Sequence, residues 1–147
     1  MKSVARRGVS PGFELARVLV VDADPAARLT LQTVLKACGY HVDAAASAAE
    51  AITKLEEGQY ALVLSDLEVE SPEAGLKVMA HARMTNYKPA TALIHVDETV
   101  RRKLSSNASS QVLIETEDIP ELLTKVATLI GERATRRVAR EMRSAGN

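Results

Sequence analysis

The sequence contains almost no cysteine and very few aromatic side chains. Phe, Tyr and Trp together make up 3% of the 147 residues, whereas 46% of the residues are hydrophobic. The core must therefore consist mainly of Ala, Val and Leu, which suits helices that pack closely against a sheet. Cys38 is the only cysteine, so an internal disulfide is excluded. Because Cys38 lies in an apolar helical stretch, we expect its small side chain to be buried.

An excess of one charge and long apolar runs are absent as well. The chain has 19 basic and 19 acidic residues. Residues 1–17 carry four basic residues and one acidic residue, and residues 131–147 carry five Arg and two Glu, which leaves the middle with a net charge of −6. An acidic body with basic ends does not favour a nucleic-acid partner. No apolar run approaches the roughly 20 residues of a membrane span, so we expect a cytoplasmic protein with no membrane partner.

Five short apolar segments alternate with segments of helical periodicity. We predict strands at RVLVV (17–21), HVDAAA (41–46), YALVLS (60–65), ATALIHV (90–96) and SQVLI (110–114). Helices are predicted from Pro25 to about Gly39, from Ser47 to Gly58, over 74–84, over 98–105 and from Ile119 onward. This alternation predicts an α/β fold, a doubly wound five-stranded parallel sheet with the flavodoxin-like strand order 2-1-3-4-5.

The two ends of the chain differ in composition from this central domain, which we predict to span residues 17–130. Residues 1–16 contain two Gly, one Pro and no apolar periodicity, which predicts a disordered tail. The Arg-rich residues 131–147 either extend the last helix as a basic arm or form a solvated, fraying tail. The second interpretation is the simpler one.

Carboxylates follow the first and the third predicted strand. Asp22 and Asp24 come after RVLVV, and Asp66 comes after YALVLS. In doubly wound sheets, ligands bind at the carboxyl ends of the strands, where the strand order reverses. Close carboxylates repel each other, and a hard divalent cation such as Mg²⁺ relieves that repulsion. We therefore predict a site at Asp22 and Asp66, whereas Asp24, directly before Pro25, is better explained as a helix N-cap.

The segments around these carboxylates are similar to those of a known family. RVLVVDADPAARLTLQTVLKACGY resembles the opening of a response-regulator receiver domain, and YALVLSDLEVESPEAGLKVM resembles its phosphoacceptor strand and loop. The resemblance covers residues 17–130 and implies that Asp66 accepts a phosphoryl group from a phosphohistidine. It also implies an Mg²⁺ site formed by Asp22, Asp66 and the backbone carbonyl of Glu68, with Asp24 as a further candidate ligand.

Three positions depart from the family pattern. Ala23 stands where the family has its second acidic residue, a direct metal ligand, so we expect Mg²⁺ to bind weakly. The hydroxyl residue that follows the fourth strand is replaced by Ile94, or by His95 if the alignment slips by one residue. The Lys that follows the fifth strand is replaced by Ile114 or Glu115, and a Glu at this position would repel a phosphoryl group.

Three functions remain open. The first is a non-enzymatic receiver in phosphorelay signal transduction, with a sensor histidine kinase or a phosphotransfer protein as donor and a downstream protein as partner. The second is a pseudo-receiver that keeps the fold and acts as a protein-interaction module without phosphorylation. In the third, Asp22-Ala23-Asp24 resembles the D-x-D motif of haloacid-dehalogenase-type phosphatases. Ala26 stands where those enzymes have Thr or Val, so this function ranks last.

Overall fold

The fold is built on a parallel sheet of five strands. A computed structural model describes residues 16–66, 71, 73–94, 112–114 and 118–145. The strands are β1 (Arg17–Val21), β2 (His41–Ala45), β3 (Leu62–Asp66), β4 (Ala90–Ile94) and β5 (Val112–Ile114). Their order is β2-β1-β3-β4-β5, which confirms the predicted topology. The predicted tail over residues 1–15 and the predicted helix over 98–105 lie outside the described residues.

Four helices are described, and their ends follow the capping residues in the sequence. They are α1 (Pro25–Ala37), α2 (Ala48–Glu57), α3 (Ala74–Arg83) and α4 (Ile119–Ala145). At the start of α2, Ser47 Oγ accepts a hydrogen bond from the Glu50 N–H at 3.1 Å, and Glu50 Oε1 accepts one from the Ala46 N–H at 2.8 Å. This reciprocal pair is the predicted capping box. None of the described helices combines the length and apolar character needed to cross a membrane.

Two layers of apolar side chains cover the two faces of the sheet. Along β1, Leu19 and Val21 belong to the layer packed by α2 and α3, whereas Val18 and Val20 belong to the layer packed by α1 and α4. Strands buried on both faces have nearly continuous apolar sequences, which explains why the strand positions could be predicted. The polar Asp22 and Asp66 lie where β1 and β3 end.

Cys38 is exposed, so the prediction that it is buried was wrong. The residue is the C-cap of α1, and the buried side of that helix is occupied by Leu31 and Leu35. Gly39 follows with a φ of 102°, a conformation that glycine adopts without strain. Cys38 therefore lies where the chain turns away from the sheet, although its sequence neighbours are apolar.

A polar cluster closes the amino-terminal end of the sheet, opposite Asp22 and Asp66. Asp43 Oδ2 lies 2.7 Å from Arg17 Nη2 and accepts a 2.7 Å hydrogen bond from the Tyr60 hydroxyl. Burial by itself would raise the pKa of Asp43, but the hydrogen bonds from Tyr60 and Arg17 outweigh it and hold that pKa below 3.8. Burial, together with the bond to Asp43, raises the pKa of Tyr60 above its ordinary 10.0. The cluster thus ties the start of β1 and the middle of β2 to the segment that enters β3.

The C-terminal helix extends beyond the sheet that it covers. α4 is 27 residues long, and Leu122 and Val126 bury their side chains against the sheet. Arg133 is the last residue of the helix that is buried. Residues 134–145 continue the same helix with mostly exposed side chains, and we call this segment the arm.

Candidate functional site

The carboxyl ends of β1 and β3 bring Asp22 and Asp66 to the same edge of the sheet. The two strands pair in register, with Val21 opposite Ser65, so Asp22 and Asp66 are the next residues along each strand. Neighbouring strands lie about 4.8 Å apart. β1 is also where the strand order reverses, because β2 lies on one side of it and β3 on the other. The two residues predicted to share a crevice therefore occupy adjacent strand ends.

Asp22 is buried and held in place by backbone contacts, with 3% of its surface exposed. Its N–H donates to the Ala45 carbonyl at 3.0 Å, which ties the end of β1 to β2. Its carboxylate oxygen Oδ1 accepts a hydrogen bond from the Asp24 N–H at 2.9 Å. A buried carboxylate is costly unless polar groups contact it, so this bond offsets part of the burial cost. The contacts fix where the Asp22 carboxylate lies relative to the end of β3.

Arg28 is a site residue that sequence reasoning missed. Its Nη1 donates to the backbone carbonyl of Asp22 at 2.8 Å. Arg28 is the fourth residue of α1, and side chains on a helix lean towards its N-terminus, which carries the guanidinium back to the end of β1. An Arg one turn into the helix was the only available signal. The contact places a permanent positive charge next to Asp22 at the end of β1.

Asp24 caps the N-terminus of α1, as the sequence predicted. The residue is exposed and is the N-cap of α1, and its Oδ1 accepts a 3.2 Å hydrogen bond from the Ala26 N–H. Pro25 occupies the first helical position, where the absence of an N–H has no cost. Ala23 is exposed and has no side-chain oxygen. The loop after β1 therefore offers Asp22 as its candidate metal ligand, while Asp24 Oδ1 caps α1.

Asp66 ends β3 beside an apolar residue. It is half-buried and pairs in register with Ile94 on β4, which is 3% exposed. Ile94 pairs in turn with Ile114 on β5. Register thus identifies Ile94 as the β4 residue next to Asp66, at the position where a hydroxyl was expected. His95, Glu115 and the Glu68 carbonyl lie outside the described residues.

The carboxylates present fit a sparsely coordinated Mg²⁺ ion. Within residues 16–66, 71, 73–94 and 118–145, no group of three or more His, Cys, Asp or Glu side chains is placed to hold a metal. Mg²⁺ in proteins usually takes one or two carboxylates and completes its octahedron with water and phosphate oxygens. Asp22 and Asp66 supply that number of carboxylates, so the donor set suits Mg²⁺ better than a metal that needs an all-protein cage.

Comparison with known proteins shows to which family the chain belongs. The model of the response regulator receiver domain matches residues 18–127, which contain β2 to β5 and all of β1 except Arg17. The chain belongs to the response regulator receiver family. The five-stranded fold with carboxylates at its strand ends is therefore a receiver domain of a two-component response regulator. The earlier resemblance is thereby confirmed over nearly its whole length.

Three known proteins are similar to this receiver in sequence or structure. It is 33% identical to TrrA of Thermotoga maritima, a response regulator solved in complex with Mg(2+)-BeF, with a TM-score of 0.66 over 78% of this chain and 99% of that one. A receiver domain protein of Methanospirillum hungatei is 24% identical, with a TM-score of 0.72 over 83% of this chain and 98% of that one, and shows the same fold.

The third is the gliding motility regulatory protein of Myxococcus xanthus, which is 31% identical over 112 residues. This stretch is 71% of the present chain but only 14% of that protein. The similarity therefore concerns one segment of this much longer relative and does not extend to the rest of that protein.

Proposed function

We propose that Asp66 accepts a phosphoryl group from a sensor histidine kinase or a phosphotransfer protein, so that the chain acts as a receiver in phosphorelay signal transduction. The observation that carries this proposal is the position of Asp66. It is a half-buried carboxylate at the end of β3, in register with the strand end that holds the buried Asp22. A downstream protein would read the phosphorylated form. Such a chain is a phosphoryl carrier in the cytoplasm and not an enzyme with a substrate of its own.

In the proposed step, a carboxylate oxygen of Asp66 attacks the phosphorus of a phosphohistidine. An O–P bond forms, the P–N bond breaks, and its electron pair returns to the imidazole nitrogen. The chain's own contribution is to hold the nucleophile in place and to surround the transferred group with compensating charge. Arg28, bonded to the Asp22 carbonyl, contributes positive charge at this edge of the sheet.

Mg²⁺ would be held by Asp22 and Asp66, and when bound it supplies charge neutralisation for the phosphoryl oxygens. The loop after β1 adds no further oxygen from Ala23, and the Asp24 carboxylate caps α1. We therefore expect weaker Mg²⁺ binding than in a receiver with two acidic residues after β1. The protein crystallised with Mg(2+)-BeF, TrrA, supports the choice of this metal.

Phosphorylation is tested by measuring the intact mass of the protein after incubation with acetyl phosphate and Mg²⁺. We expect wild-type protein to gain the mass of one phosphoryl group and Asp66→Asn to gain none. Asp24→Asn is the matched control, because Asn is an equally good N-cap and the change removes one acid from the same edge of the sheet. This variant should be labelled like the wild type. Absence of label in the wild type, or equal labelling of Asp66→Asn, would refute the proposal.

A second candidate is a pseudo-receiver that signals through protein contacts without phosphorylation. The observation in its favour is Ile94, a buried apolar residue next to Asp66 where a hydroxyl would bind a phosphoryl oxygen. A ligand shifts a conformational equilibrium only through contacts that differ between the two states. Addition of beryllium fluoride and Mg²⁺ should then shift NMR signals only in the loops around Asp22 and Asp66. Shifts that spread across residues 90–125 would instead support a phosphorylation-driven switch.

A further inference from the structure

The arm, residues 134–145, exposes an apolar face that nothing in the described part of the chain covers. Val138 is 53% exposed and Met142 is 68% exposed, one helical turn apart. Ala134 and Ala145 lie in line with them, at spacings of four, four and three residues. At about 100° per residue these four side chains fall within an arc of about 80°. The apolar face of the arm is therefore continuous and points away from the side of α4 that covers the sheet.

The charged residues of the arm are distributed unevenly around the helix. Arg136, Arg140 and Arg143 lie about opposite the apolar face, as the same helical period shows. Arg137 and Glu141 instead lie together along one edge of that face. Neither of these two forms an ion pair with another side chain among the described residues.

This distribution selects the kind of partner. An anionic membrane surface or an acidic groove would be contacted by Arg residues that flank the apolar face, and here three of the four arm arginines point away from it. A second helix whose own charges also point away can cover the face without bringing these guanidinium groups together. The arm of another copy of this chain has that property.

We propose that the arm pairs antiparallel with the arm of a second copy, with Val138 against the partner's Met142 and Ala134 against the partner's Ala145. In an antiparallel helix pair the equivalent edges of the two helices face each other. Arg137 then lies opposite the partner's Glu141, twice by symmetry. A parallel pair would place this edge against the Thr135 edge of the other helix and would leave both charges unpaired. Charge complementarity therefore favours the antiparallel arrangement.

The interface is small, so the dimer is a weak one. The arm has 12 residues and is about 18 Å long at 1.5 Å per residue. Two such helices bury less than the roughly 1,200 Å² that marks stable complexes. We expect a dissociation constant on the order of 100 µM, and two receiver bodies at opposite ends of the paired arms.

Sedimentation equilibrium on the full chain, over a concentration series to millimolar protein, tests the pairing. Val138→Glu with Met142→Glu should weaken association at least about tenfold, since Glu is a good helix former and these side chains lie outside the core. Arg136→Gln with Arg140→Gln is the matched control, because it changes the net charge by the same amount on the opposite face. This control should associate like the wild type or slightly more tightly. A wild type that stays monomeric throughout, or equal effects of the two double variants, would overturn the proposal.

Charge exchange tests the orientation. Arg137→Glu and Glu141→Arg should each weaken association, and the double variant should restore it because the pair is re-formed across the dimer with its signs reversed. A double variant as weak as either single variant would contradict the antiparallel pair. Flotation with vesicles of anionic phospholipid covers the other occupant of the face. Binding of the arm to such vesicles by a protein that never dimerises would assign the face to a membrane and overturn the proposal.

Discussion

Among the charged residues of α4, Arg133 should be the one whose replacement lowers the free energy of unfolding most. It is 8% exposed, and it donates from Nε to the Lys88 carbonyl at 3.0 Å and from Nη2 to the Tyr87 carbonyl at 2.7 Å. Lys88 has a φ of 46°, which is uncommon for a residue with a Cβ. Arg133 therefore holds a turn of unfavourable backbone conformation directly before β4. Burial, followed by the nearby Arg137, Arg136 and Arg140, lowers the pKa of Arg133.

Replacement of Arg133 by Met retains most of the buried stem and removes both hydrogen bonds. Hydrogen bonds to charged groups contribute about 1.5–3 kcal/mol each, but water can reach part of the exposed turn and the buried charge itself has a desolvation cost. We therefore expect the free energy of unfolding to fall by about 2–3 kcal/mol. Urea denaturation followed by circular dichroism measures it, provided that the m-value is unchanged.

Arg136→Met is the matched control, since Arg136 is an exposed arginine on the same helix. Its replacement should change the free energy of unfolding by no more than about 0.5 kcal/mol. If Arg133→Met were as harmless as this control, the two carbonyl contacts would not stabilise the fold and the reasoning would be wrong.

Three further outcomes are expected. The pKa of Asp43 is lowered in the folded state, so its stabilising contribution is present above pH 3.8 and is lost as the pH falls through the lower folded value. Asp43→Asn should therefore be less stable than the wild type at pH 7, and urea titrations should show this difference in stability shrinking below pH 3.8. A difference that stays constant with pH would contradict this. Ala23→Asp should tighten Mg²⁺ binding in titration calorimetry, because it adds a hard oxygen ligand, and equal affinities would mean that another group already fills that place. Ile94→Thr should enlarge the NMR response to beryllium fluoride, because a hydroxyl next to Asp66 can bond a phosphoryl oxygen; an unchanged response would show that position 94 does not limit switching.

The fold could be predicted because β1, β3 and β4 are buried almost throughout and are therefore visible as apolar runs in the sequence. Errors occurred at the strand ends. The third strand was predicted over 60–65 and is found at Leu62–Asp66, because the polar Asp66 ends the apolar run while its backbone still pairs with Ile94. Adjacent strand ends then follow from topology alone, which is why the proximity of Asp22 and Asp66 could be predicted.

Arg28 and Arg133 could not be predicted in their roles. Each donates to a backbone carbonyl, of Asp22 in one case and of Tyr87 and Lys88 in the other. A carbonyl has no signature in the sequence, and an Arg on a helix is ordinarily solvated. These contacts depend on how the helices lie on the sheet, which the sequence pattern does not determine.

The proposed receiver function depends most on whether Asp66 carries the phosphoryl group. An acyl phosphate is reduced by borohydride to an alcohol, so a phosphorylated aspartate becomes homoserine and can be located by peptide mass spectrometry. After treatment with acetyl phosphate, Mg²⁺ and borohydride, we expect homoserine at position 66 and unmodified Asp at positions 22 and 24. Homoserine at either of those positions, or at none of the three, would contradict the assignment of Asp66 as the phosphoryl acceptor.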